Sequence, residues 1–139
     1  MKSLLKLFMA FHVWIYRLSG GRLGGNMRGF KILLLTTIGR KSGKAYTTPL
    51  GWFENEDGYV IVASNGGQPA NPAWYNNLKS NPQVSVQVFD RIVPATAEVL
   101  SGEARTQAWR QVIAKAPAYA NYEKKTTREI PLILLHPNR

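Results

Sequence analysis

A chain of 139 residues, 45% hydrophobic and 19% charged, has the makings of one globular domain with a real core, and disorder is excluded. Lys and Arg number 18 against 8 Asp and Glu, and the resulting +10 selects polyanions, anionic membranes or nucleic acid as candidate partners. Cysteine is absent and the two histidines, His12 and His136, are far apart, which excludes disulfides, thiolate chemistry and a histidine-built metal centre.

Leu4, Leu7, Phe8, Phe11, Trp14, Ile15 and Leu18 recur at helical spacing, with Lys2, Ser3, Lys6 and Arg17 on another side. The pattern predicts an amphipathic helix of about 15 residues ending at Gly20-Gly21, where glycine suits a left-handed C-cap. Its apolar stripe has two readings: packing on the body of the domain, or lying on a membrane surface with Trp14 and Tyr16 near headgroup level. Lys6, His12 and Arg17 interrupt the run and no small-x-small site follows, so neither a signal peptide nor a membrane span is expected, and a cytoplasmic protein is.

Arg22 to Phe30 reads as a basic, glycine-rich loop. Residues 31–37 read as a strand buried on both faces, and 46–54 as a second strand in which Pro49 implies a sheet edge or a local break in pairing. Between them lies the turn Gly39-Arg40-Lys41-Ser42-Gly43-Lys44. Asn55-Glu56-Asp57-Gly58 is a hairpin turn into a third strand, 59–63, which ends in the tip Ser64-Asn65-Gly66-Gly67. Asn71 is expected as the N-cap, and Pro72 as the first residue, of a helix carrying Trp74, Tyr75 and Leu78. Strands are expected at 84–89 and 91–100, turning near Asp90. Ala104, Ala108, Trp109, Val112, Ile113 and Ala116 share a face of the next helix, which Pro117 ends. A short helix at 119–126 and a closing strand at 131–135 complete the chain. No helix fits between the first three strands, so the expected fold is α+β, built on a mostly antiparallel sheet or barrel.

Residues that carry chemistry are few. No nucleophile elbow and no histidine–carboxylate pair are present, and Lys41-Ser42 lacks the upstream glycine of a phosphate loop. Paired-carboxylate hydrolysis is disfavoured, so an enzyme built this way takes its chemistry from a cofactor. Four constellations remain. Arg40, Lys41, Ser42, Gly43 and Lys44 form either a solvated turn or a cradle for phosphate or carboxylates. Ser64-Asn65-Gly66-Gly67 is either plain loop or backbone brought close to a ligand. In Asn71-Pro72-Ala73-Trp74-Tyr75-Asn76-Asn77, the aromatics and Asn77 either fill core or wall a site. Tyr119 and Tyr122, three apart, share a helix side and either line a pocket or pack with their hydroxyls in water.

In order along one chain, GRKSG, TTPL, ASNGG, NPAWYNNLKSNPQVSVQV and PAYANYEKKTTREIPLILL resemble the deazaflavin-dependent nitroreductase family, from about Trp14 to Pro137. The resemblance implies an FMN-binding-type split β-barrel at 21–139 preceded by the amphipathic helix at 1–20. It implies reduced coenzyme F420 as hydride donor to a small-molecule acceptor: a quinone, an enone or a nitro compound. F420 carries a phosphate and an oligoglutamate tail, which gives the positive charge a use. On this resemblance Arg40, Lys41 and Ser42, with Gly43 and Lys44 of the same turn, meet phosphate or tail carboxylates. Pro49, Leu50, Gly51, Ala63 and Ser64 lie along the deazaflavin, and Gly66 and Gly67 let backbone approach. Trp74, Tyr75 and Asn77 hold the cofactor side. Tyr119 and Tyr122 line the substrate pocket, where a tyrosine hydroxyl stabilises and protonates the developing oxyanion. Tyr46 and Asn65 belong to the cofactor site but stand where relatives carry Arg and Lys, and Ala116 stands for a tyrosine, which implies a more open substrate pocket.

Two alternatives share the barrel: an FMN-binding reductase, and a non-catalytic lipid or fatty-acid binder at a membrane surface. Nucleic acid is set aside, because the aromatics cluster with Gly, Pro and Asn rather than with the basic residues. A homodimer is expected by family analogy, and peripheral contact with the inner face of the cell membrane through the N-terminal helix.

Overall fold

The computed structural model describes residues 2–22, 25–27 and 30–138, so the loop reading at Leu23, Gly24, Arg28 and Gly29 lies outside the described residues. The chain runs α1 (Lys2–Ser19), β1 (Asn26–Met27), β2 (Phe30–Ile38), β3 (Ala45–Gly51), β4 (Phe53–Asn55), β5 (Gly58–Val62), α2 (Ala73–Ser80), β6 (Gln83–Val88), β7 (Arg91–Val99), α3 (Gly102–Lys115), α4 (Ala118–Lys125) and β8 (Leu132–Pro137). No helix among the described residues is long and apolar enough to cross a membrane.

Ile32 to Leu35 leave β2 no wet face, and the fold puts this strand between β3 and β6. The sheet continues β6–β7–β8–β5–β4, every pairing antiparallel, with β1 paired over two residues to the start of β2. β3 and β4 are thus at opposite ends of the strand order, yet only Trp52 separates them in the chain. The sheet must curl until its ends meet, and the result is a split barrel with flanking helices. The single strand expected over 46–54 is therefore two, broken at Trp52 where the chain passes from one end of the sheet to the other. β3 pairs with β2 alone, so of the two readings of Pro49, sheet edge or local break in pairing, the edge holds. The β4–β5 hairpin turns at Glu56-Asp57, where the Asp57 N–H donates to Asn55 Oδ1 at 2.9 Å.

Alternation along the strands feeds two cores. Leu33, Leu35, Ile61, Ile133 and Leu135 point inward to Trp74, Tyr75 and Leu78 of α2. Val60, Val62, Leu132 and Leu134 point outward beneath Ala108, Trp109 and Val112 of α3. Ala104, expected on this buried face, is exposed. The expected opening of a pocket at Ala116 is not seen: this residue is 2% exposed and packs in the core under α3.

Two further expectations are corrected. The N-cap of α2 is Pro72, not Asn71: Pro72 has extended ψ (154°) and its carbonyl accepts from Tyr75 N. The Asn71 side chain is engaged instead by Arg128 Nη1, at 2.7 Å. In α1 the apolar stripe does not pack on the body. Leu7, Phe8, Phe11, Trp14 and Leu18 are 56–71% exposed, whereas His12 and Tyr16 are buried. Tyr16, expected near lipid headgroups, packs with Ile32 and Leu34. Its hydroxyl lies 3.0 Å from the Ile32 carbonyl and 3.2 Å from that of Gln87, and accepts from Phe89 N at 2.6 Å. Gly20 and Gly21 close α1 with φ of +62° and +83°, and a Cβ on Gly21 would collide with Phe89.

Candidate active site

Two hollows adjoin on one side of the barrel. The larger, about 640 Å³, is lined by Thr48, Pro49, Leu50 and Gly51 of β3, by Val62, by Ser64, Asn65, Gln68, Asn71, Pro72, Ala73 and Trp74, by Tyr119 of α4, and by Met9 of α1. The smaller, about 420 Å³, is lined by Gly39, Arg40, Lys41, Ser42, Tyr46, Thr47, Thr48, Ala73, Trp74 and Asn77. Thr48, Ala73 and Trp74 are common to both, so the larger hollow and a cationic hollow share one wall.

The basic turn is built to hold its shape. Gly39 N donates to the Lys44 carbonyl at 2.7 Å, and Gly43 N to the Gly39 carbonyl at 2.9 Å. Ser42 Oγ accepts from Lys44 N and lies 3.1 Å from the Tyr46 hydroxyl. From α2, Asn77 is 8% exposed; its Oδ1 accepts from Arg40 N, and its Nδ2 donates to Thr37 Oγ1. Asn77 thus fastens the turn to the helix, and leaves the side chains of Arg40, Lys41 and Lys44 exposed. Gly43 is set by its φ of +71°; neither it nor Lys44 lines either hollow.

The opposite rim is the segment after β5. Asn65 has a positive φ of 49° and its side-chain amide donates to the Ala70 carbonyl. Gly67 has a packing reason for being glycine: with φ at +80°, its missing Cβ would lie 3.0 Å from Lys125 Cβ of α4, not toward the cavity. Gly66 belongs to this one-turn helix, Asn65–Gly67. Ala63 and Tyr75 are buried core residues, away from both hollows.

At the far wall, Tyr119 sits edge-on between Phe53 (6.0 Å) and Tyr122 (5.7 Å). Burial raises the Tyr119 phenol above its ordinary 10.0, and the nearby Tyr122 adds to the shift. A phenol so shifted keeps its proton at neutral pH. Tyr122 does not line the larger hollow itself but backs Tyr119. Met9, Val62 and Gln68 were not singled out in the sequence. Met9 had no local signal, because the contact is made by a helix distant in sequence. Among the described residues, no group of three His, Asp or Glu could hold a metal.

The two hollows test whether a deazaflavin fits. A hollow of mixed apolar and polar lining that shares a wall with a cationic hollow suits an aromatic ring system that carries an anionic arm. The family model described as F420H(2)-dependent quinone reductase matches residues 8–137. The F420H(2)-dependent quinone reductase Rv1261c of Mycobacterium tuberculosis is 38% identical over 131 residues, 91% of this chain and 88% of the relative. A solved F420-H2 dependent reductase (FDR-A) is 45% identical, with TM-score 0.70, covering 76% of this chain and 93% of that one. A second solved structure, described as a domain-swapped dimer, is 42% identical, with TM-score 0.72, covering 86% and 90%. Neither the FMN-binding reductase nor the lipid carrier gains support from these relatives. The chain belongs to the F420H2-dependent quinone reductase family.

Proposed function

We propose that this oxidoreductase holds reduced F420 across the shared wall, its ring in the larger hollow and its anionic arm in the smaller, and that a quinone is the acceptor. One observation carries the reading: Thr48, Ala73 and Trp74 line both hollows, so one ligand spans them. F420, when bound, supplies the hydride. Pro49, Leu50 and Gly51 form one side of the larger hollow, and Pro49 adds no N–H there that would need a partner. Trp74 and Ala73 form the shared wall, and Arg40, Lys41 and Ser42 face the arm. Tyr119 keeps its proton near the acceptor end and donates a hydrogen bond to an oxygen that gains negative charge. Tyr122 holds the Tyr119 ring edge-on. Tyr119→Phe is expected to lower kcat with a quinone by about tenfold to a hundredfold, with Tyr122→Phe milder. Unchanged turnover in both single variants and in the double variant contradicts the donor role.

A homodimer is proposed because the 42% identical solved relative is described as a domain-swapped dimer. Residues 1–20 are proposed as a helical appendage to a single barrel domain at 21–139, in contact with the inner membrane surface. The support is the exposed row Leu7, Phe8, Phe11, Trp14 and Leu18 beside exposed Lys6 and Arg17.

A further inference from the structure

Arg128 stands in the TTREIP string and has no role in the site as described so far. Its guanidinium makes four hydrogen bonds, all to one segment. Nε donates to the Gln68 carbonyl (3.1 Å), Nη1 to the Ala63 carbonyl (3.3 Å) and to Asn71 Oδ1 (2.7 Å), and Nη2 to the Ser64 carbonyl (2.7 Å). Three of these residues, Ser64, Gln68 and Asn71, line the larger hollow. The neighbouring Arg105 is different: it pairs with Glu129 and donates to the Ile130 carbonyl. None of the ion pairs among the described residues includes Arg128, so its charge is met by carbonyl dipoles alone.

Two consequences follow from peptide geometry. A trans peptide sets its N–H opposite to its C=O. With the Ala63 and Ser64 carbonyls drawn to the guanidinium, the N–H groups of Ser64 and Asn65 point away from it. Neither N–H has a protein partner among the described residues, and both residues line the hollow. The unneutralised cation behind them adds a positive potential.

Resting on the site reading above, we propose that Arg128 is a positioning residue. Its planar fork fixes residues 63–71 so that two peptide N–H groups form a donor edge for a ligand oxygen that carries partial negative charge. Lysine cannot reproduce this, because an ammonium is a point donor and lacks the planar fork that reaches four acceptors here.

The test uses the full chain, with Arg128→Ala and Arg128→Lys. Hydrogen exchange of the ligand-free protein is expected to quicken at least tenfold in both variants at Gly67 and Gln68, whose N–H groups donate to the Ser64 and Asn65 carbonyls, with β2 and β6 unchanged. F420 fluorescence titration is expected to show affinity at least tenfold weaker in both, with partial recovery when guanidinium is added to Arg128→Ala. Should the alanine variant fail to fold, the lysine variant carries the test, since it keeps the charge and the stem. Wild-type affinity and wild-type exchange in Arg128→Lys overturn the proposal. Failure of the wild-type protein to bind F420 is a different result: it overturns the site reading itself.

Discussion

Helices α1 and α2 carry similar aromatic content and meet the barrel in opposite ways. α2 spends Trp74, Tyr75, Asn77 and Leu78 on burial, each 8% exposed or less, and so fixes the wall between the two hollows. α1 buries His12 and Tyr16 and leaves its larger apolar row outside. Periodicity reports which residues share a face; it does not report which face meets the body. For α2 the bonds of Asn77 to Arg40 N and Thr37 Oγ1 fix the rotation and turn the aromatic side inward. For α1 the Tyr16 hydroxyl and the Arg17–Thr47 hydrogen bond set the rotation and turn the expected core stripe to the surface.

The sharpest way to break this contrast is truncation of one leucine on each helix. Leu78→Ala is expected to cost about 2–5 kcal/mol, because the cavity lies in a closed core, while Leu7→Ala changes stability by less than about 0.5 kcal/mol. Urea melts of both variants check it; equal losses would mean that α1 packs as α2 does. Next in size is Tyr16→Phe. It leaves the Phe89 N–H without its acceptor, at a cost of about 1–3 kcal/mol, and quickens exchange across α1 before the barrel.

A smaller effect comes from pH. Burial raises the phenols of both Tyr16 and Tyr119 above 10.0, so the fold favours their neutral forms. Their stabilisation is complete below pH 10 and is lost as pH rises through the folded values. The melting temperature is expected to fall above that pH, and Tyr119→Phe should flatten the fall; an unchanged slope would contradict the burial of Tyr119. Smallest in stability, yet decisive for the role of α1, is the triple change Phe8→Ser, Phe11→Ser, Trp14→Ser. It is expected to leave the melt intact and abolish sedimentation with anionic vesicles. Retained sedimentation would move any membrane contact elsewhere.

Much of the barrel was legible because its strands alternate and its turns carry Gly, Asn and Asp. The inward and outward sets, such as Leu33/Leu35 against Ile32/Leu34, fall out of period two. The break at Trp52 was not legible: the apolar run continues, and only the closure of the sheet divides it. At the site, the basic turn could be read from composition, but the job of Asn77 within it could not, since its partners Thr37 and Arg40 lie on another element. Arg128 was illegible for the same reason on a larger scale, because its strongest contacts reach back 57 and 64 residues. Tyr75 was misplaced because neighbouring aromatics on one helix turn differ in direction by about 100°.

The central claim is that one anionic deazaflavin spans both hollows, and fluorescence titration with F420 and FMN, at low and high salt, tests it most directly. The account predicts F420 binding that weakens with salt and falls about tenfold or more in each of Arg40→Ala and Lys41→Ala, with FMN held more weakly. Tight FMN binding without F420 binding, or F420 affinity indifferent to salt and to both substitutions, would contradict it.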